Sequence, residues 1–122
     1  MIRGFVSDDG VPTITLSVSG QNYTAVIDTG FNGDLELPVD LEDSLNPLFV
    51  GRVTSALAGG QTIDEDVYLV DFPFDNRMVQ TEATFVKGSQ ILIGTHLLQD
   101  YHLQIDFAGK TVQLARVRNN SS

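Results

Sequence analysis

Cysteine is absent from the 122-residue chain. That removes disulfides, thiolate metal sites, iron–sulfur ligation and cysteine nucleophiles together. Basic residues are scarce: seven Lys and Arg stand against sixteen Asp and Glu, a formal net charge of −9. A surface of that sign neither displaces counterions from nucleic acid nor docks on anionic lipid, so neither is expected as a partner. No apolar run approaches the roughly 18 residues of a membrane span. The start of the chain, Met1 to Asp9, lacks the long apolar core of a signal peptide. The expectation is a soluble, cytoplasmic, acidic protein. Histidine occurs only twice, as His96 and His102, and their spacing from Asp100 and Asp106 matches no three-ligand metal site. Phosphate loops and Gly-x-Ser-x-Gly elbows are missing too.

What is present is strand signal. Hydrophobic residues make up 42% of the chain, enough for one domain, expected over residues 1–117 with a polar tail at 118–122. Thr13 to Val18 alternates hydroxyl and aliphatic residues, the period of a half-buried strand, and Tyr23 to Ile27 returns after a turn. Further strands are read at Leu35–Leu37, Phe49–Leu57, Thr62–Phe72, Val79–Val86, Leu103–Phe107 and Thr111–Ala115, with Ile91-Leu92-Ile93 as a short buried one. Pro38 to Leu45 has room for one or two helical turns, and Thr95 to Asp100 is the best short-helix candidate. Strands so evenly spaced predict an all-β fold, a closed or nearly closed barrel, rather than βαβ units.

The chemistry centres on Ala25-Val26-Ile27-Asp28-Thr29-Gly30, an apolar strand ending abruptly in a carboxylate, a hydroxyl and a glycine. Asp28 comes to the edge of the core there, and Gly30 allows main-chain N–H groups to approach it. Alone, Asp-Thr-Gly is also ordinary turn chemistry. Two further elements accompany it: the glycine pair Gly59-Gly60 at the tip of a long hairpin, and Ile91-Leu92-Ile93-Gly94 followed by an amphipathic turn.

This order of elements resembles the retropepsin-like aspartic proteases over about residues 11 to 114, and Asp-Thr-Gly-Phe-Asn-Gly leading into Leu-Glu-Leu-Pro resembles a small prokaryotic group among them. The resemblance implies an acid-protease barrel with one short helix at residues 95–100. It implies that Asp28 is the catalytic aspartate, with Thr29 and Gly30 supporting the active-site loop. Ala58, Gly59, Gly60 and Gln61 would form the tip of a flap over bound peptide. Val26 and Leu92 would line substrate pockets, and Phe31, where familiar relatives carry Ala or Ser, would narrow a pocket or pack under the loop.

Aspartic proteases use two carboxylates sharing one proton, because like charges so close cannot both ionise. Only one Asp-Thr-Gly is present, so the implied enzyme is a homodimeric endopeptidase with an Asp28 pair on the two-fold axis, acting on peptide or protein without metal or organic cofactor. The alternative is a non-catalytic peptide-binding or dimerisation domain on the same fold. Departures from the family pattern are Thr95, where viral members carry an Arg that stabilises the dimer, and His96, where relatives carry Asp or Asn. His96 is expected to bond a backbone carbonyl. Asp64-Glu65-Asp66 reads as a solvated hairpin face, or as a field that draws basic peptides. The mostly aliphatic pocket residues suggest apolar side chains flanking the cut.

Overall fold

The computed structural model describes residues 1–117; the expected polar tail at 118–122 lies outside them. Ten strands form one sheet: β1 (Ile2–Val6), β2 (Pro12–Val18), β3 (Gln21–Ile27), β4 (Leu35–Pro38), β5 (Leu48–Ala56), β6 (Thr62–Phe74), β7 (Arg77–Val86), β8 (Ile91–Ile93), β9 (Tyr101–Asp106) and β10 (Thr111–Arg116). A 3-10 helix, Val39–Ser44, follows β4. The sheet order is β5-β6-β7-β4-β8-β3-β2-β1-β10-β9.

Local sequence explains the hairpins. In β2, Ile14, Leu16 and Val18 are buried while Thr15 and Ser17 face out, as the alternation requires. Val18 pairs with Gln21, leaving Ser19 and Gly20, both at positive φ, as a two-residue turn whose twist matches the flanking strands. The same solution joins β6 to β7. Phe74 pairs with Arg77 across Asp75 and Asn76, again both at positive φ, and Asp and Asn are among the non-glycine residues that tolerate that conformation best.

The sheet curls so that β2 packs against β6 across a single core. Phe72, Ile14, Leu37, Ile91, Ile93 and Leu114 are fully buried there. Each such side chain contributes about 1.5–3 kcal/mol through apolar area removed from water.

Two expectations are corrected. The sheet does not close into a barrel: among the described residues, β5 and β9 are unpaired edges at the ends of the order. Closure needs the terminal strands to meet. β5 instead leaves the body with β6 as a long hairpin, while β9 pairs only with β10. Thr95–Asp100 is not an α-helix but a run of turns, with i to i+3 bonds from Leu98 N–H to Thr95 O (3.1 Å) and from Tyr101 N–H to Leu98 O (2.9 Å). Six residues are too few to recover the cost of α-helix nucleation, and two N–H groups at the start of the segment are spent on another loop, as described below.

β1 escaped the sequence reading, since Gly4 dilutes its strand signal. The glycine is required there, because a Cβ would overlap the Thr13 carbonyl and the Ile14 side chain of β2.

The centre of the sheet is a three-strand insertion. β8 lies parallel to β3 and antiparallel to β4, and β4 runs parallel to β7. At the end of β8, Gly94 sits directly against Gly33. A Cβ at Gly94 would overlap the Gly33 carbonyl and the Phe31 ring, and the bonds from Gly94 N–H to Asp34 O and from His96 N–H to Gly33 O hold the two backbones together. Gly94→Ala is therefore expected to cost at least about 2 kcal/mol of stability, read as a lowered midpoint in urea denaturation at unchanged slope.

Candidate active site

β3 delivers Asp28. Ala25 and Ile27 face the core, which fixes the strand's register, and Asp28 is the first residue beyond it, half-buried. Its backbone N–H donates to Ile93 O of β8 (3.0 Å), prolonging the parallel pairing by one step. The chain then turns sharply. Gly30 N–H donates to Asp28 Oδ1 (2.9 Å) and Phe31 N–H donates to Asp28 O (3.1 Å). One carboxylate oxygen is thus oriented by main chain, and Oδ2 has no protein donor among the described residues. Thr29 and Gly30 are exposed beside it.

Residues 28–34 are stitched to the start of the 95–100 turns. Thr95 N–H donates to Phe31 O (2.8 Å), His96 N–H to Gly33 O (3.1 Å) and Gly94 N–H to Asp34 O (2.9 Å). Asp34, only 8% exposed, completes the seam with its side chain. Oδ2 accepts from the Glu82 N–H (3.1 Å) and Oδ1 meets His96 Nδ1 at 2.5 Å. His96 therefore pairs with a carboxylate rather than with the backbone carbonyl anticipated from sequence. The Asp34 carboxylate, by hydrogen bond and by charge, raises the His96 pKa above its ordinary value.

The sheet register lays a floor beside Asp28. Val26 of β3 pairs with Leu92 of β8, Leu92 with Glu36 of β4, and Glu36 with Thr84 of β7. Directly paired residues point to the same face, so these four half-buried side chains form a row on the face opposite the core. Val26 and Leu92, expected as pocket residues, do lie together, in a depression of about 500 Å³ with Phe5, Val11 and Thr24. Phe31 is elsewhere. Its ring packs under the loop, where a Cβ at Gly33 would meet it, and it lines a second cavity of about 210 Å³ with Leu35, Glu36, Val53, Glu65 and Val67. A depression of about 540 Å³ between β2 and the β6–β7 turn contains none of the residues expected at the site.

The β5–β6 hairpin overhangs the second cavity. Its tip is a tight turn, Leu57 N–H to Gln61 O (2.7 Å), with Gly59 and Gly60 at φ 87° and 84°. Ala58, Gly59, Gly60 and Gln61 are all exposed. The acidic trio divides by strand alternation. Asp64 and Asp66 point outward and bond Thr54 (2.6 Å) and Arg52 (3.0 Å) across the hairpin, whereas Glu65 faces the cavity. Only part of that trio is a solvated face.

Sequence reading passed over Asp34 and Glu36. Asp34 carried no signal beyond its place in a polar loop. Glu36 did: in Leu35-Glu36-Leu37 the two leucines face the core, which obliges the glutamate to face the other way. Burial, and then the neighbouring Glu65 and Asp28 charges, push its carboxyl above the usual range.

No protein-family model matches the chain, and no curated protein matches its sequence. Solved structures do match its fold. A retropepsin-like aspartic protease from Rickettsia conorii superposes with a TM-score of 0.65 at 15% identity, over 95% of this chain and 89% of that one. EIAV protease, complexed with the inhibitor HBY-793, gives 0.54 at 16% identity over 77% and 90%. The foamy viral protease-reverse transcriptase, bound to an RNA/DNA hybrid, gives 0.58 at 18% identity over 77% of this chain, which spans 13% of that larger one. The chain has the retropepsin-like fold.

The Asp34–His96 contact carries a pH signature. His96 has a raised pKa in the folded state, so its contribution to stability is complete below the unfolded value of about 6.5 and is lost as pH rises through the folded value. His96→Gln is expected to lower the melting temperature at pH 6, and the difference from the wild type is expected to shrink as pH rises through the raised folded value. Thermal melts of both proteins from pH 6 upward check it.

Proposed function

We propose that the protein is an aspartic endopeptidase, active as a homodimer in which Asp28 of each copy meets its counterpart. The observation that carries this reading is the Asp28 loop. On a retropepsin-like fold, the carboxylate stands at the end of β3 with one oxygen held by the Gly30 N–H, next along the strand from the Val26–Leu92 row, and the glycine-tipped hairpin overhangs the neighbouring cavity that Phe31 lines. A single chain supplies one such carboxylate, and two are needed to share the proton.

In the dimer, one Asp28 takes a proton from a bound water as the oxygen attacks the scissile carbonyl carbon. The protonated partner gives its proton to the carbonyl oxygen. Collapse of the tetrahedral intermediate transfers a proton to the leaving amine, with no covalent enzyme intermediate. Thr29 and Gly30 brace the loop, and the Gly59-Gly60 tip folds over the peptide, which lies extended as an added strand. Val26 and Leu92 form one substrate pocket, and Phe31 walls another. The exposed apolar side chains of the hairpin, Phe49, Val50, Val53, Leu57 and Ile63, favour an occupied or paired state, because such a patch is costly in water. Residues 1–117 act as the one catalytic domain, and the acidic surface and absence of cysteine suit a reducing cytoplasm.

Asp28→Asn is expected to reduce cleavage of a peptide library at least about 100-fold, the scale of lost general acid–base catalysis, while the melting temperature stays essentially unchanged. Sedimentation of the wild type should give the mass of two chains under the conditions where it cleaves. Full activity in the Asn variant would sink the dyad mechanism. Peptide binding by both proteins with cleavage by neither would make the chain a binding domain.

A further inference from the structure

The cleft floor is uncharged except at one place. In the row Val26, Leu92, Glu36, Thr84, the third position puts a carboxylate where its neighbour in the register is a leucine. Glu36 opens into the cavity of about 210 Å³ beneath the hairpin, whose walls include Phe31, Leu35, Val53 and Val67. Glu65 reaches the same cavity from the hairpin above. Among the described residues neither carboxylate has a salt-bridge partner; the hairpin's Arg52 is held by Asp66 on the opposite face.

From this geometry, and resting on the reading of the groove as a peptide cleft, we infer that the cavity is a specificity subsite for a Lys or Arg side chain of the bound peptide, with Glu36 as its determinant. The shape and chemistry agree. The space holds one long side chain, the apolar walls take a methylene stem, and the carboxylates take the cationic head. Glu36 is disfavoured as an anion first by its burial and then by the Glu65 and Asp28 charges, which together raise its pKa. A cation between Glu36 and Glu65 offsets those charges. An apolar or acidic side chain instead buries Glu36 without a partner once the hairpin covers the peptide. In the depression of about 500 Å³, Phe5, Val11, Val26 and Leu92 form an apolar wall and Asp9 is the one ionisable group, so an apolar side chain fits against that wall. The peptide read by this cleft therefore combines an apolar and a basic residue near the same bond, in place of the purely apolar flanks suggested by the sequence.

The test uses the full chain on a randomised peptide array, with binding measured in the Asp28→Asn background and cut sites mapped by mass spectrometry with Asp28 intact. Lys and Arg are expected to be enriched about tenfold or more at one fixed position, the scale of one hydrogen bond to a charged group. Glu36→Val, which suits a strand, should abolish that enrichment while the apolar preference at the other position survives. Glu65→Gln should weaken it. Basic enrichment among bound peptides with no cleavage would uphold the subsite and overturn the protease reading. Cleavage without basic enrichment, or enrichment that persists in Glu36→Val, would overturn the subsite alone. No peptide bound and none cut would overturn both.

Discussion

The parallel pairing of β3 with β8 is the constraint on which the candidate site depends. It is only three residues long, Ala25 to Ile27 against Ile91 to Ile93, and short parallel ladders are weak on their own. Burial makes up the difference. Ala25, Ile27, Ile91 and Ile93 are almost wholly inaccessible, so a slip of either strand by one residue would drive its two core side chains to the cleft face and its one cleft residue into the core. The hydrophobic effect thus fixes a register, and the register fixes where Asp28 stands. The hydrogen bond from Asp28 N–H to Ile93 O is the last rung of that ladder as well as the first contact of the loop.

Beyond the ladder the loop has little apolar material, and polar contacts take over. Three backbone bonds join residues 31–34 to 94–96, and the Asp34 carboxylate adds two side-chain contacts. Asp34 is buried yet fully engaged, and no buried side-chain polar atom among the described residues lacks a partner. Such a network rigidifies the segment that presents Asp28, since each unmade bond at a buried position would carry its desolvation cost. Gly94 and Gly33 allow the two backbones to come close enough for it to form.

Much of the fold was legible in the sequence because its physics is local. Period-2 alternation placed β2, the turn after it placed β3 as the returning strand, and Ile91-Leu92-Ile93 was recognisable as a buried strand from composition alone. The Gly59-Gly60 turn announced the hairpin tip. What sequence did not reveal is long-range. Whether the terminal strands meet depends on where β5 is carried by its 13-residue partner β6, which no window of residues records. The helix expected at residues 95–100 was lost to a tertiary competitor, since the N–H groups of Thr95 and His96 bond carbonyls more than sixty residues away in sequence. In the candidate site, the place of Asp28 at the end of an apolar strand was legible from Ala25-Val26-Ile27. Glu36 was legible only if alternation was followed through a strand of four residues, and Asp34 only from the folded chain, because its partners, the Glu82 N–H and His96, lie far along the sequence.

A sheet that stops short of closure has two ends, and its solubility depends on how each is guarded. At the β9 end the guard is chemical: His102, Gln104 and Asp106 are exposed along the outermost strand, so another chain adding there would meet polar side chains. At the β5 end the outermost strand carries exposed Leu48, Phe49 and Val50, a composition that invites pairing, and the guard is geometric. The register slips between Phe49 and Gly51, and such a bulge twists the edge out of the flat shape that a second strand needs. The two ends of this sheet are therefore not interchangeable: one is guarded by polar side chains along its length, the other by a break in register and the exposed Arg52 that follows it.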